Sequence, residues 1–359
     1  MNSNSKEDLI HRIKVIKIEN GKYVLLLEKV PTTLLKEVID MSRGHEWLNI
    51  GINQSDIERL EALEISTNSG DLNIYYYCDT IAEAPVAILT RHGIKEILVG
   101  ARENNCARKM NILKYSIIRH KLEKIVEDLY GKSDKEKFKS IYRRLANMID
   151  YDHDAIKDGS EYAKLNEETC RNLENAVLLN TCVCQGYCEV LKQTLSLVGI
   201  ESIICKSIEG EDDTTHTYNI VKLDGEWFNT DLTWDYSSIR RGVRPRYCLK
   251  SDKDFLKCSE KDKPYHIPYN IELPRCNVSV ELFPEFKKPS SMTRSRTIIF
   301  GRVYRDSQYS KRLEEGVPVA NKCNFKETIK MDIKSISCKG DQRDSGIENI
   351  HANDKEVSK

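Results

Sequence analysis

The chain lacks a net charge: its 359 residues carry 56 basic and 56 acidic side chains. No overall field steers such a protein toward nucleic acid or an anionic membrane, and neither partner is expected. The one dense basic run, IRRGVRPR at 239–246, reads as a solvated loop. Long apolar runs are also missing. No stretch approaches the ~18 uninterrupted apolar residues of a membrane-spanning helix. The opening MNSNSKEDLIHRIKVIKIENG has no apolar segment of the kind a secretory signal carries. A soluble, cytoplasmic protein is expected. Twelve cysteines are present, but no CxxC pair occurs and their spacings are irregular. In a reducing compartment this pattern means free thiols and disfavours a disulfide framework.

What is present suffices for a core: 40% of residues are hydrophobic and 31% are charged. The length suggests two domains, or one domain with large extensions. The expected fold class is α+β. Residues 1–108 read as a mixed, strand-containing accessory region. There, KVIKIENGKYVLLLEK has two alternating runs around Asn20-Gly21, a hairpin signal. DLNIYYYC (71–78) reads as a strand, and PTTLLKEVIDM and SDIERLEAL as short helices. His11, His45 and His92 sit in ordinary settings without a chemical motif.

Residues 109–276 read as the domain that carries the chemistry. A long helix is expected over about 109–130, with Leu113, Ile117, Ile118, Leu122, Ile125, Val126 and Leu129 on its apolar face. Ser133 and Glu136 form a capping-box pattern ahead of an apolar stripe of Phe138, Ile141, Tyr142, Leu145 and Met148. A further helix covers 184–198, stopped by Gly199. Strands follow at SIICKSI (202–208), HTYNIVKL (216–223) and EWFNTDLTW (226–234), the last two joined by Asp224-Gly225. Residues 277–338 read as an extension in which RTIIFGRVY could form a strand, and 339–359 as a disordered polar tail.

The hairpin makes a chemical statement. With a two-residue turn at Asp224-Gly225, Leu223 pairs with Glu226, Tyr218 faces Asp231, and His216 faces Thr233. Alternation then places His216 and Asp231 on one face as diagonal neighbours, roughly 7–8 Å apart. A histidine oriented by a carboxylate has a fixed tautomer and a raised pKa. From the hairpin alone the ordinary reading of this pair is a polar contact on a sheet surface, since most such pairs are structural.

NTCVCQGYCEVL (180–191) supplies three cysteines. A nucleophilic cysteine must be a thiolate near neutral pH, and a helix N-terminus or a nearby imidazolium makes it one. Cys184 starts the helix, with Gly186 allowing close approach. Cys188, one turn on, belongs to the buried stripe of Leu191, Leu195 and Val198. Cys182 precedes the helix. A zinc site using these three with Cys170 or Cys205 lacks the usual ligand spacing, and no metal or cofactor is expected. Cys184, His216 and Asp231 thus stand as nucleophile, base and orienter. His266 in PYHIPY is a rival base without a carboxylate partner evident in the sequence. The acidic run EGEDDTT (209–215) lacks the alternation of a calcium loop and reads as solvated. Trp234 and Asp235 read as packing and capping residues.

VCQGYCEVLKQTLSLVGIES followed by HTYNIVKLDGEWFNTDLTWD resembles the transglutaminase-like superfamily. SDKEKFKSIYRRLANMIDYDHDA upstream and RYCLKSDKDFLKC downstream extend the resemblance over about residues 120–275. It implies a papain-like core, a nucleophile helix packed on an antiparallel sheet, with Cys184, His216 and Asp231 as the triad. Two departures lie off the triad: Cys188 stands where alanine is frequent, and Tyr218 where tryptophan is. Leu178, six residues before Cys184, stands where a papain-like enzyme has its oxyanion glutamine. The implied function is acyl transfer on peptide or glutamine amide bonds of a protein or peptide substrate, through a thioester. Hydrolysis is expected ahead of amine transfer. The alternative is a silent scaffold for protein interaction.

Overall fold

A six-stranded sheet, a three-stranded sheet, a two-stranded pair and the helices packed on them carry the described chain. The computed structural model describes residues 14–17, 22–43, 48–67, 73–100, 108–155, 171–207, 215–257, 266–268 and 272–288. All of these belong to one compact unit, Arg12–Ile298. The fold class is α+β, as expected.

The first sheet begins with the N-terminal hairpin. β1 (Lys14–Lys17) pairs antiparallel with β2 (Tyr23–Leu26), Lys17 opposite Tyr23. The Asn20-Gly21 turn itself lies outside the described residues. Helix α1 (Leu35–Ser42) leads to β3 (Leu48–Ile52), and α2 (Gln54–Ala62) to β4 (Ile74–Cys78). Helix α3 (Val86–Arg91) leads to β5 (Glu96–Val99), and β6 (Arg108–Asn111) closes the sheet. Strand order follows chain order, with β2 to β5 parallel and both edges antiparallel. Val24, Leu26, Tyr75, Tyr77 and Leu98 pack together on one face.

Helix α4 (Ile112–Val126) starts three residues later than its periodicity suggested, because Arg108–Asn111 pairs with β5 and Asn111 caps the helix. Its buried face is Tyr115, Ile118, Leu122 and Val126, whereas Leu113 and Ile117 are exposed at 69% and 46%. Helix α5 (Asp134–Met148) has the Ser133–Glu136 capping box and buries Phe138, Ile141, Tyr142 and Leu145. The two-residue strands β7 (Asp150–Tyr151) and β8 (Thr181–Cys182) pair in parallel around α6 (Leu173–Leu178).

The central helix α7 (Cys184–Ser196) packs on the second sheet. That sheet is β9 (Ser202–Lys206), β10 (Thr217–Leu223) and β11 (Glu226–Thr230), all antiparallel, with β10 in the middle. Leu223 opposes Glu226 as expected. Asp224 and Gly225 both have positive φ, 52° and 86°, the geometry of a tight turn matched to strand twist. Gly199, at φ 78°, ends α7 by carrying the chain through the left-handed region. β11 is shorter than EWFNTDLTW suggested. It stops at Thr230, and α8 (Leu232–Arg240) begins with Asp231 as its cap. Helix α9 (Asp252–Lys257) completes the described elements.

The two sheets are tied at α7. Gln193 accepts a hydrogen bond from the Ile81 N–H at 2.7 Å and donates to the Asp79 carbonyl at 3.2 Å. Tyr115 donates to the carbonyls of Ile81 and Ala84 from the other side. The basic run 239–246 is more than a solvated loop. Arg240 donates to the carbonyls of Ala146 and Ile149, and Arg244 to those of Phe286 and Pro284. No helix among the described residues is long and apolar enough to cross a membrane. RTIIFGRVY and the tail lie outside the described residues.

Candidate functional site

Cys184 opens α7, and no side chain caps that helix: its N-cap is Val183. Helices α2, α4, α5, α6 and α8 are each capped by a side chain, from Asn53, Asn111, Ser133, Asn172 and Asp231. The first-turn N–H groups of α7 are therefore left to polarise whatever lies at its start. Gly186 belongs here for steric reasons. A Cβ at this position would lie 2.5 Å from Cys182 Cβ and 2.8 Å from its sulfur. The close approach allowed by glycine is thus to the buried Cys182, not to a ligand. Cys184 itself is half-buried.

His216 sits just before β10, where its backbone pairs with Ser207: the Ser207 N–H donates to the His216 carbonyl at 2.8 Å. The His216 N–H donates to Ser207 Oγ, also at 2.8 Å. Its Nε2 lies 2.7 Å from Asp231 Oδ2. Cys184 is near enough for the His216 imidazole to act on its thiol. Register therefore brings His216 and Asp231 together as the hairpin suggested. The reason differs in part, because Asp231 has left the strand and projects from the cap of α8. There its Oδ1 accepts from the Trp234 N–H at 3.1 Å.

His266 was the histidine without an evident partner. In the fold its Nε2 lies 3.0 Å from the same Asp231 Oδ2. The contact spans 35 residues, so no local pattern could have signalled it. Trp234 lies against both imidazoles, with ring centroids 5.0 Å from His216 and 4.5 Å from His266. Asp235 is buried and accepts from the Tyr142 hydroxyl at 2.9 Å and from the Arg246 N–H at 2.8 Å.

Electrostatics follow from this packing. Burial by itself would push the Cys184 thiol up. The hydrogen bond and charge of His216 overcome it and bring the thiol down to about 7 from an ordinary 9.0. Burial disfavours a charged His216, yet the adjacent Asp231 carboxylate and then Cys184 raise it to about 10. Burial also opposes the Asp231 charge, but His216 and His266 hold it well below the usual carboxylate range. Cys188 behaves oppositely: burial, with Asp231 and Cys184 nearby, pushes it far up, as a core residue requires. Desolvation likewise lifts Asp235 to about 7.

His216, Asp231 and His266 also bring three potential metal-ligating atoms within 4.8 Å of one another. The two nitrogen–oxygen separations are hydrogen-bond lengths, 2.7 and 3.0 Å. Ligands sharing a tetrahedral zinc at ~2.1 Å lie ~3.4 Å apart. The arrangement fits two N–H donors on one carboxylate oxygen. No such group among the described residues includes a cysteine. The acidic run around Glu211 lies outside the described residues, as do His11 and His45.

Residues 120–240 match the family model of a transglutaminase-like domain. The solved structure of a TGase is 22% identical, covering 34% of this chain and 32% of its own, at a TM-score of 0.29. That of a cysteine protease candidate from Cytophaga hutchinsonii is 11% identical, covering 33% and 37%, at a TM-score of 0.24. The chain thus spans roughly a third of the length of each. No curated protein matches it. The helix start at Cys184, the hairpin and the Asp231 cap all fall inside the segment that matches the transglutaminase-like domain.

Proposed function

We propose that this domain is a cysteine-dependent acyl-transfer enzyme acting on amide bonds of a protein or peptide. One observation carries the reading. A half-buried thiol at an uncapped helix start lies within electrostatic reach of a histidine whose Nε2 is held at 2.7 Å by a fully buried carboxylate. The Cys184 thiolate attacks the carbonyl carbon, and a carbon–sulfur bond forms as the carbonyl electrons move to oxygen. The N–H groups at the start of α7, including that of Cys184, receive the oxyanion. His216 then gives its proton to the leaving nitrogen as the carbon–nitrogen bond breaks, leaving a thioester. Water, deprotonated by His216, attacks the thioester and frees a carboxylic acid and the Cys184 thiolate. Asp231 holds the imidazole in place throughout. An amine in place of water would give a cross-linked amide. Hydrolysis is the proposed outcome, since water needs no second binding site.

The test is turnover of glutamine-containing peptides with and without a primary amine, reading ammonia release, peptide cleavage and amine incorporation. Cys184→Ala should abolish each activity seen in the wild type. Full turnover by that variant would refute the proposal. A Cys184 thiol that titrates near its ordinary 9.0 would point instead to a silent scaffold.

A further inference from the structure

Asp231 uses both carboxylate oxygens. Oδ1 is pinned by the Trp234 N–H at 3.1 Å. Oδ2 meets two imidazole nitrogens, His216 Nε2 at 2.7 Å and His266 Nε2 at 3.0 Å. A carboxylate that orients another group must itself be fixed, or it turns about the bond to its own carbon and loses its aim. Of the two partners at Oδ2, His216 is the group being oriented. His266 is the anchor at that oxygen which does not depend on it.

His266 is built to stay in place. Its ring lies 4.3 Å from that of Phe255, 4.5 Å from Trp234 and 5.0 Å from Tyr247, centroid to centroid. Its carbonyl accepts from the Tyr218 hydroxyl at 3.4 Å. Pro268, two residues on, bridges to Ser207, the residue that pairs with the His216 backbone. The segment bearing His266 is thus docked beside the strand end that carries His216. His266 is 3% exposed and Asp231 0%, so the contact is made within the core. Since Asp231 is held as the anion, the ring nitrogens facing Oδ2 are the donors.

We infer that His266 is a positioning residue: it fixes Asp231 Oδ2 so that the carboxylate holds His216 against Cys184. The inference rests on Cys184 being the nucleophile. It goes beyond the triad by adding a fourth side chain, which acts through Asp231. The plain alternative is that His266 only fills an aromatic cage, and the two roles come apart by substitution. His266→Phe keeps the ring and loses the donor, whereas His266→Gln keeps an N–H donor and loses the ring.

The experiment alkylates each full-length protein with iodoacetamide across pH 5–10 and follows Cys184 by peptide mass spectrometry. Asp235, Cys188, Tyr142, Tyr218 and Tyr247, ionisable groups that face this network, are unchanged in every variant. In His266→Phe the acid limb of the Cys184 profile should move up by ~1 pH unit, with His266→Gln within ~0.3 of wild type. His266→Leu, a second donor-free variant, should follow Phe, and serves in its place should Phe not fold by circular dichroism. A folded donor-free variant whose limb matches wild type or moves down overturns the inference. So does a Gln variant displaced as far as Phe. A wild-type limb near 9, unmoved by His216→Asn, refutes the nucleophile reading itself and the role of His266 with it.

Discussion

Replacing Gly186 by alanine should disturb the start of α7 through a single methyl group. The added Cβ would meet Cys182 Cβ at 2.5 Å, its sulfur at 2.8 Å and the Asn172 carbonyl at 3.3 Å. Cys182 offers no flexible tip to move aside: it is fully buried, and its backbone is paired to β7. Overpacking of this kind costs ~1–3 kcal/mol, and a rigid neighbour places it toward the upper end. Against that, alanine gains ~1 kcal/mol over glycine inside a helix. The net is a loss of ~2 kcal/mol, measurable by urea denaturation. The clash should also push the first turn of α7 off β8 and move Cys184 away from His216, slowing Cys184 alkylation at pH 7. The partner variant Cys182→Gly removes the obstructing Cβ. The double variant should recover part of both losses, giving a favourable coupling in a double-mutant cycle. Equal stability and equal alkylation in Gly186→Ala would show that the packing of Cys182 against the helix start is not what position 186 serves.

Further expectations concern charge and the tie between the sheets. His216→Asn should return the Cys184 thiol from about 7 to at least 9. The thiolate fraction at pH 7 then falls ~50-fold, its greater basicity restores ~8-fold, and alkylation slows ~6-fold; an unchanged rate would sink the pairing. Burial raises Asp235 to about 7 from 3.8, so the folded state binds its proton more tightly than the unfolded chain. The stabilisation is then present at acid pH and is lost as pH rises through about 7. Asp235→Asn should therefore gain stability relative to wild type between pH 4.5 and 7.5, and denaturation midpoints with the same difference at both pH values would contradict this. Gln193→Leu strands the buried Ile81 N–H and should lower stability by ~2 kcal/mol, with an unshifted urea midpoint as the refuting result.

Local chemistry made much of this legible. Asp224-Gly225 specifies a turn whose two residues need positive φ, and that turn sets the register of the whole hairpin. Ser133 with Glu136, and Gly199 past α7, mark helix ends because each satisfies groups the helix leaves open. Cys188 was readable as core from its stripe. Asp231 shows a missed signal. Strand-forming residues run up to Thr230, and an aspartate three residues before Trp234 is an N-cap pattern that competes with extending the strand. Periodicity misassigned Leu113 and Ile117, since a helix face can be apolar and still meet solvent. His266 could be read as a candidate base, but not its partner. Its place depends on the tertiary docking of Pro268 beside Ser207, and sequence spacing holds no trace of that.

The double engagement of Asp231 bears on what position 231 can tolerate. Asparagine would still start α8, because its side-chain oxygen caps as well as a carboxylate does. It would give up the charge that keeps His216 protonated. Glutamate would keep the charge, but its extra methylene carries the carboxylate beyond the Trp234 N–H and gives up the helix start. Each nearest relative of aspartate meets one demand and fails the other. Drift at this site is thus closed from two directions, one set by folding and one by electrostatics, and a single substitution cannot relax both.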